Sequence, residues 1–235
     1  MKKPYIKKFC KIGNIKVFIV DGPWVRKNLC EDFVDFDHPL HAKFIPENEF
    51  WMEKEYDPGE ENFALDHLIT EYFLMKTGTK YNQAYKKALS VEIRERRKSK
   101  PIIKVREIKN KTERLKKVKI KQLKKYSNGI KVFIVRGKLV RDLFLLKEDE
   151  FMGGGHDKVY WFVPRGEIWL DDLMSERERR FILVHELHER SLMARGWKYH
   201  PAHKKATIVE HFCRHNPKKI DKILAIELKA QKKEK

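Results

Sequence analysis

The chain has 235 residues, 41% of them hydrophobic, and a formal charge of +19. That length and apolar content suit one large or two small domains with real cores and exclude a wholly disordered chain. No apolar run approaches the ~20 residues that span a bilayer, and "MKKPYIKKFCKIG" has no apolar signal core, so a soluble, cytoplasmic protein without a membrane partner is expected. Cys10, Cys30 and Cys213 are widely spaced and odd in number, which suggests neither a disulfide framework nor a CxxC metal site.

In chain order, the first strong element is "IKVFIVDGPWVR" at 15–26, and it recurs as "IKVFIVRGKLVR" at 130–141. Three residues out of step with that match, "HPLHAKFIPENEFWMEK" from His38 aligns with "HDKVYWFVPRGEIWLDD" from His156, and the same offset runs on to Glu92 and Glu210. The chain therefore reads as a tandem duplication. Residues 1–97 hold the first copy, 98–128 a basic linker, and 129–235 the second copy with a basic tail.

Each copy reads as strand, loop, hairpin, helix, helix, which makes the fold class α+β. "IKVFIV" is a β-branched run of strand length. "AKFI" and "EFWMEK" flank "PEN", as "KVYWFV" and "EIWLDD" flank "PRG", so a two-stranded hairpin is expected in each copy. Trp51 and Trp169, within alternating apolar strands, are expected as core anchors. The first helix is expected to start at Asp57–Pro58 in copy one and at the S-x-x-E capping box of Ser175 and Glu178 in copy two; Gly78 and Gly196 mark left-handed stops.

On the helix of "RFILVHELHERSLM", Phe181, His185, Glu189 and Leu192 fall on one stripe facing the packed side. An imidazole and a carboxylate buried there must be hydrogen-bonded, paired or metal-bound. The repeat adds weight to the last option. His156, His185, Glu189 and Glu210 in copy two match His38, His67, Glu71 and Glu92 in copy one, although most surrounding polar positions differ. Two imidazoles with one or two carboxylates suit Zn²⁺ or another first-row divalent ion. Copy one then holds a vestigial site. His200 and His203 in "HPAH" are further ligand candidates, set against Asn82 and Tyr85 in copy one.

"EIWLDDLMSERERRFILVHELHE" resembles the strand and active-site helix of zincin-like metallopeptidases of the ImmA/IrrE type, over some 30 residues of copy two. The resemblance implies a zinc-dependent peptidase acting on a protein substrate. His185 would be the first ligand, Glu186 the general base and Glu210 a downstream ligand. The second zincin histidine is Glu189 here, giving HExxE, and His156 is the candidate to supply another imidazole. Copy one has Leu68 in place of Glu186, so it lacks a proton acceptor there.

The charge supports a different class of function. "RKSKPIIKVREIKNKTERLKKVKIKQLKK" and the tail "NPKKIDKILAIELKAQKKEK" carry much of the excess, the footprint of a nucleic-acid partner. On that alternative the protein is a non-enzymatic binder and the His/Glu clusters are structural. Abundant Lys and Glu also occur in heat-adapted proteins, where such stretches are simply solvated.

Overall fold

The computed structural model of the protein describes residues 2–54, 59–99, 102, 103, 105, 107–144 and 151–232. The chain divides into two compact units, an N-terminal one that ends at Glu107 and a C-terminal one whose first residue is Ile108. Both are α+β.

The N-terminal unit contains β1 (Tyr5–Ile12), β2 (Ile15–Val20), α1 (Gly22–Asn28), β3 (Phe36–Asp37), β4 (Glu49–Glu53), α2 (Glu61–Lys76) and α3 (Tyr81–Lys98). Its sheet has the order β1-β2-β4-β3, with β2 and β4 parallel and both edges antiparallel. The parallel pair needs a crossover, which α1 supplies. Because side chains alternate along a strand, Val17, Ile19, Phe50 and Met52 pack with Ala64, Leu68 and Tyr72 of α2, while Val20 and Trp51 pack on the other face with Val25, Phe33 and Ile45.

The C-terminal unit repeats this plan: α4 (Lys111–Val118), β5 (Lys119–Gln122), β6 (Lys131–Val135), α5 (Gly137–Phe144), β7 (Gly154–His156), β8 (Glu167–Asp171), α6 (Glu176–Ala194), α7 (Tyr199–His215) and α8 (Ile220–Gln231). Its sheet order is β5-β6-β8-β7. The registers match as well, since Phe18 faces Trp51 and Phe133 faces Trp169 across the parallel pair. Both tryptophans are buried, with each indole N–H donating to the glutamate two residues earlier, Glu49 or Glu167. Each crossover helix also sends an arginine to a buried carboxylate at the end of the fourth strand, Arg26 to Glu53 and Arg141 to Asp171. Gly22 and Gly137 open these helices because a Cβ there would collide with that carboxylate.

Several expectations need correction. The first arm of each hairpin lies upstream of the apolar "AKFI" and "KVYWFV" segments: β4 and β8 pair with Phe36–Asp37 and Gly154–His156 instead. Residues 42–45 form turns, with Ala42 N–H bonded to His38 O and Ile45 N–H to Ala42 O, so their apolar side chains enter the core from a loop. The basic stretch assigned as a linker contains α4 and β5, and β5 is an edge strand on β6. Its lysines suit an edge, where charge discourages pairing with another chain; Lys119 reaches Glu167 at 2.7 Å and stands over the Phe133 ring. In the basic tail, α8 buries Ile220, Leu224 and Leu228 in the core of the unit. Helix α2 starts at Glu61, and the expected cap at Asp57–Pro58 lies outside the described residues. Gly78 and Gly196 both adopt φ +92°, as left-handed helix stops do.

Candidate metal centre

Helix α6 begins where the Ser175 hydroxyl accepts the Glu178 N–H at 3.2 Å. Two turns on, His185 and Glu189 face inward as their spacing with Phe181 requires, and all three are buried. Helix α7 packs along α6 and aims His203 and Glu210 at it. These two are seven residues apart, two helical turns, and therefore share a face.

Three side chains meet at one point. His185 Nε2 lies 3.0 Å from His203 Nδ1 and 3.5 Å from Glu189 Oε2, and His203 Nδ1 lies 2.8 Å from that same oxygen. The other Glu189 oxygen, Oε1, is 3.0 Å from Nε2 of His156, which arrives from β7. His185, Glu189 and His203 thus form a group able to hold a metal ion, and His156, Glu186 and Glu189 form a second; in each, one donor atom per residue lies within 4.8 Å of the others. The donor set of imidazole nitrogens and carboxylate oxygens fits zinc or another first-row divalent ion.

Glu210 stands elsewhere. Its Oε2 is 2.9 Å from His185 Nδ1, behind the ring, and its Oε1 accepts from Arg214 at 2.7 and 2.9 Å. Arg214 in turn grips both oxygens of Glu178 at 2.8 and 3.0 Å. Glu210 belongs to neither donor group. Its geometry is that of a carboxylate that fixes the tautomer and tilt of a histidine, leaving Nε2 directed at His203 and Glu189. His188, one position from the inward-facing stripe, pairs with Glu227 of α8 at 3.0 Å. His200 is exposed and outside both groups.

The electrostatics follow from this crowding. Burial opposes the imidazolium form of His185, but hydrogen bonds to Glu189 and Glu210 outweigh it and lift the ring to about 10. Burial would raise Glu189, yet hydrogen bonds from His156, His185 and His203 hold it well below the usual carboxylate range. Glu210 is brought down to about 2, because His185 and Arg214 overcome its burial. Glu186 goes the other way. Burial, with repulsion from Glu189 added, pushes it up to about 8, and no hydrogen-bond donor among the described residues reaches its carboxylate. Burial also lowers His156, favouring its neutral ring.

The N-terminal unit keeps the frame of this site. His38 Nε2 is 3.0 Å from Glu71, His67 lies 3.3 Å from Glu71 and 2.9 Å from Glu92, and Arg96 ties Glu92 to Glu60. At the two remaining positions it has Leu68, which is 2% exposed in the core, and Tyr85, whose ring is edge-on to His67 at 5.2 Å. No group of three metal donors forms among its described residues.

Among the described residues, no helix is long and apolar enough to cross a membrane. Comparison of the chain with protein families, curated proteins and solved structures finds no match.

Proposed function

We propose that the C-terminal unit is a metal-dependent hydrolase, most simply a zincin-like peptidase, with the ion held by His185, Glu189 and His203. The observation that carries this reading is the buried, donor-free carboxylate of Glu186, which stands beside that group and is replaced by leucine in the other unit. Glu186 makes no bond that would tie it into a structural His–Glu cluster, whereas a general base must meet its proton without a competing donor.

An ion at this position supplies Lewis acidity, polarising a substrate carbonyl and acidifying water beside it. The protein's own residues do the rest. Three protein ligands leave coordination open for water and substrate, the arrangement typical of catalytic zinc. Glu186 takes the proton of the attacking water at its carboxylate and returns it to the leaving amine. Glu210 and Arg214 keep His185 Nε2 turned inward, and His156 N–H holds Glu189 Oε1 so that Oε2 faces the ion. The adjacent His185 and Glu186 support the likeness to the ImmA/IrrE-type peptidases; the run departs from their HExxH at Glu189, which with His203 would stand in for their second histidine and downstream carboxylate.

Glu186→Gln tests the reading. On a peptide library or denatured protein substrate, with zinc, manganese or cobalt restored, it should keep the ion and lose roughly 10² to 10⁴-fold in turnover. Full turnover in the variant, or a wild-type protein with no hydrolytic activity on amide or ester substrates under any of these ions, would refute it.

A further inference from the structure

The two oxygens of Glu189 serve different neighbours. Oε2 faces His185 and His203, whereas Oε1 faces His156 Nε2 at 3.0 Å. With Glu189 and His156, which faces Oε1 and has no exposure at all, stands Glu186, 9% exposed and lacking a hydrogen-bond donor among the described residues. Donor atoms of these three residues lie within 4.8 Å of one another.

We propose that the Oε1 side is a second divalent-cation position, bridged to the first through Glu189, and that an ion there shuts the enzyme down by occupying Glu186. A dication would offset the repulsion between Glu189 and Glu186, of which Glu189 has three histidine partners and Glu186 no hydrogen-bond donor among the described residues. A carboxylate shared between two ions sets them roughly 3.5–4 Å apart, as in paired-metal sites. The inhibitory consequence rests on the proposed role of Glu186 as base; the double occupancy rests on the geometry alone.

The two positions fill in order. His156 Nδ1 accepts the Lys158 backbone N–H at 3.2 Å, so the neutral ring carries its proton on Nε2 and donates it to Glu189. An ion bound at Nε2 requires that proton to move to Nδ1, and the Lys158 hydrogen bond is given up. His185 and His203 also release the protons that they share with Glu189 Oε2, but their position offers two imidazole nitrogens where the Oε1 side offers one. A second dication also enters against the charge of the first, so the second ion is the weaker one by about tenfold or more. Leu68 removes this second position from the N-terminal unit altogether.

The test is titration of the metal-depleted full chain with Mn²⁺, followed by calorimetry and by electron paramagnetic resonance. Wild type should bind one ion, then a second and weaker one, and the second should give an exchange-coupled Mn²⁺ pair signal. Glu186→Gln and Glu186→Leu, the latter the residue of the other unit, should bind a single uncoupled ion. Saturation at one ion in wild type, a second ion with no coupling to the first, as at the surface pair His211 and His215, or a coupled pair surviving in both variants would each overturn the inference. Activity separates it from the function above. Two coupled ions at excess Mn²⁺, with no turnover even at one ion per chain, would sink only the hydrolase reading, whereas one ion with turnover undiminished at excess Mn²⁺ would sink only the second position.

Discussion

His203 Nδ1 lies 2.8 Å from Glu189 Oε2, and in the matching place of the other unit Tyr85 presents its ring edge-on to His67. A tyrosine there leaves the remaining histidines and glutamates to satisfy one another by hydrogen bonds. The substitution His203→Tyr should therefore convert the C-terminal centre into a copy of the N-terminal one. Ion affinity should fall by more than about 100-fold, since a ligand is lost as well as its orientation. Thermal stability without metal should change little, because His203 is partly exposed. Calorimetric titration with zinc, alongside melting of the metal-free protein, checks both parts.

Glu210→Gln probes the support behind His185. The amide keeps the shape of the side chain but removes the charge facing His185 and Arg214. Ion affinity should drop roughly 10 to 100-fold, the usual effect of losing a carboxylate behind a ligand histidine. An unchanged affinity would mean that the ring is held by packing alone.

The N-terminal unit carries an acid-sensitive pair. Hydrogen bonds from His38 and His67 overcome the burial of Glu71 and hold its carboxyl at about 2, against 4.5 for the free group. The folded value is depressed, so the stabilisation is complete above pH 4.5 and is lost as pH falls toward 2. Its full size is about 3 kcal/mol by the conversion of pKa shift to free energy. Glu71→Gln should lower stability at pH 7 by an amount of that order and flatten the acid limb between pH 4.5 and 2. Denaturant melts across that range would reveal it; an unaltered acid limb would contradict the pairing.

Ser175→Ala removes the hydroxyl that accepts the Glu178 N–H at the start of the site helix. The expected loss is about 1 kcal/mol. Chemical denaturation measures it directly, and no loss would mean that the Glu178–Arg214 pair alone fixes the helix start.

Much of the fold was readable because the repeat exposes it. The "IKVFIV" strands, the buried tryptophans, the Ser175 cap and the two glycine stops each have a local cause that survives in the sequence, whereas the segments after those strands, which read as loops, are the crossover helices α1 and α5, and the strands they join are parallel. The edge strands β1 and β5 are hidden because they mix lysines with apolar residues, which looks like solvated chain until a neighbour supplies the ladder. Helix α8 was masked by its charge, although Ile220, Leu224 and Leu228 recur at helical spacing. The inner residues of the candidate site, His185, Glu186 and Glu189, follow from helical periodicity and from the leucine that stands at the position of Glu186 in the other unit. His203 is hidden in the repeat because it differs between copies, yet a residue that separates a complete donor group from an incomplete one must differ. Its spacing of two turns from Glu210 was the available signal. Nothing in the spacing tells a ligand carboxylate from one behind the ring, so Glu210 needed the structure.

The most direct measurement is the metal content of the untagged, full-length protein after exhaustive dialysis against metal-free buffer, compared with His185→Ala. The account predicts about one tightly held divalent ion per chain in the wild type and none in the variant, the weaker second ion having been dialysed away. A wild-type protein that is metal-free and gains no ion from added zinc, manganese or iron, or a variant that retains its ion, would contradict it.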